Sequence, residues 1–130
     1  MGKAKNILFI MCDQLRWDYL SCNGHPHLET THIDGLAAKG VNFTRAFVQS
    51  PLCGPSRMSY LTGRYVYSHG ATWNGVPLSV GQRNIGDFIR PHGLRCALVG
   101  KTHMEPDAEG MARLGVDKMT ELGVLTSECG

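Results

Sequence analysis

Residues 6–12, NILFIMC, form an apolar run that shows no polar–apolar alternation and ends directly on Asp13. A strand with one face in water would alternate, so an unbroken run of this length reads as a strand covered on both faces. Such strands belong to sheets layered between helices, and the rest of the chain supplies the layers. Residues 31–40, THIDGLAAKG, place Ile33, Leu36 and Ala37 at helical spacing between a threonine and a glycine. Residues 41–48, VNFTRAFV, alternate and are rich in β-branched and aromatic side chains, which predicts a second strand. Residues 55–63 open on Pro55 and close on Gly63, a helix with Cys53 just upstream of its N-terminus. Residues 84–90, NIGDFIR, predict a helix capped by Asn84 and stopped by Pro91 and Gly93. Residues 94–100, LRCALVG, are again nearly all apolar and predict a third strand. Strand, helix, strand, helix, helix, strand is the order of an α/β fold. After His103 the periodicity fades, so residues 1–104 read as the organised part and residues 105–130 as a weakly defined tail or the start of something further.

Composition narrows the class. Apolar content of 42% and charged content of 18% describe a globular chain of 130 residues, and a net charge of +2 with scattered arginines argues against nucleic acid and anionic membranes as partners. Five cysteines cannot all pair within one chain. Cys12 and Cys96 lie in apolar runs and read as buried thiols, which suits a reducing compartment and a cytoplasmic location. The first apolar run is too short for a secretory h-region or a membrane span, and Asn6 does not fit the myristoylation pattern.

In an open α/β sheet, ligands gather beyond the carboxyl ends of the strands. Asp13 follows the first strand, Cys53 follows the second by a short loop, and Lys101 and His103 follow the third. An acid, a thiol, an ammonium and an imidazole are thereby expected on one rim. An isolated aspartate after a strand is ordinarily a turn residue, so the weight lies on the coincidence. Gly100-Lys101-Thr102 ends like a phosphate-binding loop, but Arg95 stands where that pattern needs glycine. Cys53 and Arg57 have three residues between them where a cysteine phosphatase loop has five. Cys22, His25 and His27 lack the second ligand pair that a zinc site needs and read as a solvated loop.

Cys53-Gly54-Pro55-Ser56-Arg57, followed by Thr62-Gly63-Arg64, resembles the C-x-P-S-R…T-G-R motif of the sulfatase family in the alkaline phosphatase superfamily. ILFIMCDQLRWD resembles that family's first strand with its metal-binding aspartate. HIDGLAAKGVNFTRAF resembles the helix and strand before the motif, and GLRCALVGKTHM the strand ending in G-K-x-H. The resemblance runs from Asn6 to about Met104. It implies the N-terminal part of a three-layer α/β/α sandwich with a mostly parallel sheet, and hydrolysis of sulfate, phosphonate or phosphate esters.

The resemblance further implies that Cys53 is oxidised by a formylglycine-generating enzyme to formylglycine. One hydroxyl of its hydrate attacks the ester, and the other expels the product as the aldehyde re-forms. A helix N-terminus with unpaired N–H groups would favour the developing anion. By the same resemblance Arg57 supports the nucleophile, and Lys101 and His103 contact the transferred group and the leaving group. Asp13, Gln14 and the residue derived from Cys53 would bind a divalent cation, with calcium expected and magnesium or manganese as the other hard-cation choices. DQLRWD and YSHGATWNGVPL look more like the phosphonate monoesterase and choline-sulfatase branches, which place an asparagine, here Asn74, near the substrate. His69 either lines the site or is a hydrogen-bonded structural histidine. Tyr60, Leu61 and Trp73 read as packing residues. The partners implied are a small anionic ester and the modifying enzyme, with oligomeric state open. Family members run to several hundred residues, and their remaining metal ligands have no match in residues 105–130. The expectation is therefore an N-terminal portion, inactive by itself, with a non-catalytic fragment or binding module as the alternative.

Overall fold

The structure, a computed structural model, describes residues 5–115. It divides into two compact units, residues 7–47 and, in the larger, residues 5–6 with 48–115.

The smaller unit holds two 3-10 turns, Trp17–Tyr19 and Ser21–Asn23, and helix α1, Thr31–Lys39. Asp34 ties the second turn to α1. Its carboxylate accepts from the Ser21 hydroxyl at 2.6 Å, the Thr30 hydroxyl at 2.8 Å and the Cys22 amide at 3.0 Å. Those donors hold the Asp34 carboxyl below the usual carboxylate range, the Ser21 hydroxyl contributing most. The His25 ring is similarly occupied: Nδ1 accepts from the amides of His27 and Leu28. Cys22, His25 and His27 thus serve local loop geometry, and no metal-holding group of His, Cys, Asp and Glu occurs among the described residues.

The larger unit contains α2 (Cys53–Thr62), α3 (Val66–His69), α4 (Ile85–Ile89), a 3-10 turn (Arg90–His92) and α5 (Ala108–Leu114). Helix α2 starts on Cys53 itself, not downstream of it, so Pro55 sits at the third helical position, where no intrahelical N–H bond is lost. It ends at Gly63, whose φ of 66° closes the helix through its amide to the Ser59 carbonyl. Met58 of α2, Ala71 and Leu78 form the buried core, with Leu61 and Met104 packed against it. Tyr60 and Trp73, expected to pack, are largely exposed, while Leu61 does pack. Asn84 caps α4 by accepting from the Gly86 amide, and Asp87 accepts in return from the Asn84 amide. Helix α4 ends at Ile89, ahead of Pro91, and the 3-10 turn that follows closes at Gly93. Helix α5 lies where sequence periodicity had faded. Asp107 caps it, accepting from the Gly110 amide at 2.9 Å, and also accepts from Val80 at 2.9 Å, which fastens this helix to the rest of the unit.

The three predicted strands do not form, and no strand occurs among the described residues. A strand in a parallel sheet is stable when neighbours satisfy its N–H and C=O groups and cover both faces. Residues 5–115 supply no such ladder. The apolar runs are accordingly open to solvent: Leu8 is 85% exposed, Phe47 84% and Val99 90%. For the same reason Cys12 and Cys96, read as buried thiols, are exposed, and the four described cysteines are free. No described helix is long and apolar enough to cross a membrane.

Candidate functional site

Within the larger unit, chain order and space disagree usefully: residues 48 apart meet. Lys101 Nζ lies 3.8 Å from Cys53 Sγ. The helix places Cys53 in its first turn and Arg57 one turn further on. Arg57 is 8% exposed, and its Nη1 donates to the Lys101 carbonyl at 2.5 Å. One helical turn therefore carries both the thiol and the guanidinium that fixes the backbone of the thiol's ammonium neighbour. No helix follows Lys101 until Ala108, so Gly100-Lys101-Thr102 does not open a phosphate-binding helix.

His103 stands two residues beyond, half-buried, with φ of 53°. Its Nδ1 is buried and has no hydrogen-bond partner among the described residues. A left-handed backbone on a non-glycine residue and a buried polar atom without a partner each cost free energy and concentrate where function demands them. Met104, the residue after His103, packs on the Met58–Ala71–Leu78 core.

The first turn of α2 differs from the expected row of open donors. Asn74 Oδ1 accepts from the Gly54 amide at 2.8 Å, Pro55 has no N–H, and Ser56 bonds the Leu52 carbonyl. The Leu52 amide is taken by Ser50 Oγ. What this turn retains for an anion among the described residues is the amide of Cys53. Asn74 thus acts as a helix cap supplied from 20 residues away. Gly54 is required by that approach, since a Cβ there would meet Asn74 Oδ1 at 2.9 Å.

His69 is 3% exposed, with both ring nitrogens occupied: Nε2 is 3.0 Å from Ser59 Oγ, and Nδ1 accepts from the Ala71 amide at 3.2 Å. Burial pushes its pKa below the ordinary histidine value, against the opposing effect of the Pro55 carbonyl.

Asp13 and Gln14 lie in an exposed turn of the smaller unit, and Gln14 has φ of 55°. Gln14 and His103 are the two non-glycine residues with left-handed backbone among those described. A carboxylate and an amide oxygen are hard donors that fit calcium, magnesium or manganese, but calcium takes about six to eight oxygens, so this pair would supply a minority of them.

Comparison with known proteins places these residues in a family. The sulfatase family model matches residues 5–127, and the chain belongs to the sulfatase family. It is 36% identical over 100 residues to an ulvan-active sulfatase of Formosa agariphila, covering 77% of this chain and 20% of that protein. It is 37% identical over 108 residues to the multifunctional alkaline phosphatase superfamily protein PehA of Trinickia caryophylli, covering 79% and 21%. It is 36% identical over 121 residues to the steryl-sulfatase of Mus musculus, covering 83% and 19%. The chain spans about a fifth of the length of the relatives it matches.

Proposed function

We propose that this chain carries the nucleophile-bearing portion of a sulfatase that hydrolyses sulfate esters, with phosphonate and phosphate esters as chemically related substrates. The observation that carries the reading is the contact of Lys101 Nζ with Cys53 Sγ, on a backbone held by Arg57. Formylglycine made from Cys53 would supply a hydrated aldehyde as nucleophile at this position. Lys101 provides a positive charge beside it for an anionic ester. Arg57 keeps that charge in place from the same helix. His103 provides an imidazole that could pass a proton to a leaving group. Asn74 directs one end of its amide to Gly54, and its NH2 is suited to a substrate oxygen; His69 serves the same region through Ser59. Asp13 and Gln14 would hold a divalent cation, calcium in the first instance, which would neutralise charge on an anionic ester.

The exposed apolar runs fit the same reading. In an α/β/α sandwich residues 6–12, 41–48 and 94–100 would be sheet strands, and their open faces are what such strands show without neighbours. With part of a metal site and no ladder among the described residues, residues 1–130 by themselves are expected to turn over no ester.

Co-expression with a formylglycine-generating enzyme tests the central claim. Conversion of Cys53 lowers the intact mass by roughly 18 Da, and Cys53→Ala abolishes the change. A thiol that stays unmodified at Cys53 under those conditions would support the rival reading, a non-catalytic module.

A further inference from the structure

We propose that His69 is a positioning residue for Cys53, acting through Ser59 as a latch on the helix that presents the thiol. The inference rests on Cys53 being the functional residue, but not on its conversion or on turnover.

Because Nδ1 accepts from the Ala71 amide, the proton of the neutral ring resides on Nε2, which donates to Ser59 Oγ. His69 therefore bonds α2 at Ser59, two residues beyond Arg57. Three residues after Ala71, the same strap delivers Asn74 to the Gly54 amide. Residues 69–74 thus hold the helix at Gly54 and Ser59, while Ala71 enters the core beside Met58. The thiol lies at the end of α2, where a helix ordinarily frays. A buried ring and a distant cap replace that fraying by fixed contacts. Burial is needed because water would compete for both ring nitrogens, and His69 at 3% exposure excludes it.

The test uses the full chain with Cys53 unconverted. Hydrogen exchange at the Gly54 amide and alkylation of Cys53 by iodoacetamide are followed in wild type, His69→Ala, Ser59→Ala and His69→Gln. Exposed Cys12 and Cys96 serve as internal references. Opening of the helix start in the two alanine variants should speed Gly54 exchange about tenfold or more and raise Cys53 alkylation severalfold against the references. The amides of Val80 and Met111, bonded to Asp107 in the same unit, should keep wild-type protection. His69→Gln, whose amide can still donate to Ser59, should recover most of the difference. If His69→Ala does not fold, Ser59→Ala decides. Wild-type rates at Gly54 and Cys53 in the alanine variants would overturn the proposal. So would equal loss of protection at Val80 and Met111 in Ser59→Ala, or no recovery in His69→Gln. None of these readouts needs formylglycine or an ester, so the latch and the sulfatase reading fail separately.

Discussion

Arg57 Nη1 donates to the backbone carbonyl of Lys101, and this bond joins the helix that carries the thiol to the segment that carries the ammonium, 44 residues later. A planar guanidinium reaches a carbonyl with fixed direction, which a lysine at the same position would not reproduce. Arg57→Lys should leave the Lys101 carbonyl without that donor and lower stability by about 1–3 kcal/mol. Urea unfolding of the full chain measures it. A short thiol–amine cross-linker should couple Cys53 to Lys101 in wild type and lose most of that yield in the variant. Undiminished coupling would show that Arg57 does not place Lys101.

Gly54→Ala should be destabilising for a reason that two distances give. The new Cβ would sit 2.9 Å from Asn74 Oδ1 and 3.4 Å from Asn74 Cα. The side-chain oxygen can move, but only by giving up its bond to the Gly54 amide. A cost of about 1–3 kcal/mol is expected. Asn74→Ala should cost less, about 1 kcal/mol, as for loss of a helix cap. In the double variant the clash partner is gone, so the two effects should fall short of additivity. Thermal melts of the four proteins test it, and strict additivity would mean that the two residues do not act on each other.

The helices and the site differ in how far the sequence discloses them. Helices α1, α2 and α4 are legible because their ends are written locally: Gly63 closes α2, and Asn84 with Asp87 opens α4. Helix α5 is equally signed, by Asp107 and Gly115. Cys53, Arg57, Lys101 and His103 are legible from motif spacing, and Lys101 does come to Cys53. Asn74 and His69 were legible as residues of interest, but not their partners. Pairings with Gly54 across 20 residues and with Ser59 across ten depend on where the intervening turn leads. The apolar runs carry strand patterns on correct local grounds, yet a strand exists through its neighbours, and no strand occurs among the described residues.

Stability should depend on pH through His69. Burial lowers its folded pKa, so near and below the ordinary histidine value the unfolded chain takes up a proton that the folded chain resists. The contribution is therefore intact above about pH 6.5 and is lost as pH falls below it, until the folded pKa is passed. Nearby Arg64 opposes protonation in the same sense. Denaturant midpoints should fall between pH 7.5 and pH 5 more in wild type than in His69→Gln, which has no proton to gain. Parallel pH profiles would remove His69 as the cause. Asp107 and Asp34, whose folded pKa values are depressed, act at lower pH, where protonation removes their hydrogen-bond acceptance.

Gln14 and His103 allow strain to be tested against function. Both hold left-handed backbone at a cost of about 1–2 kcal/mol that glycine would not bear. Gln14 is exposed, so its side chain contributes little packing to offset that cost. Gln14→Gly should therefore raise the melting temperature of the chain. His103→Gly also removes a ring whose Nδ1 is buried without a described partner, but it sacrifices ring packing, so its gain should be smaller. In a longer sulfatase chain carrying this segment, each substitution should lower turnover by at least about tenfold if Gln14 ligates the cation and His103 moves a proton. A lower melting temperature in Gln14→Gly would show that the turn is not strained. A stabilised variant with unchanged turnover would show that the strain at Gln14 serves no catalytic purpose.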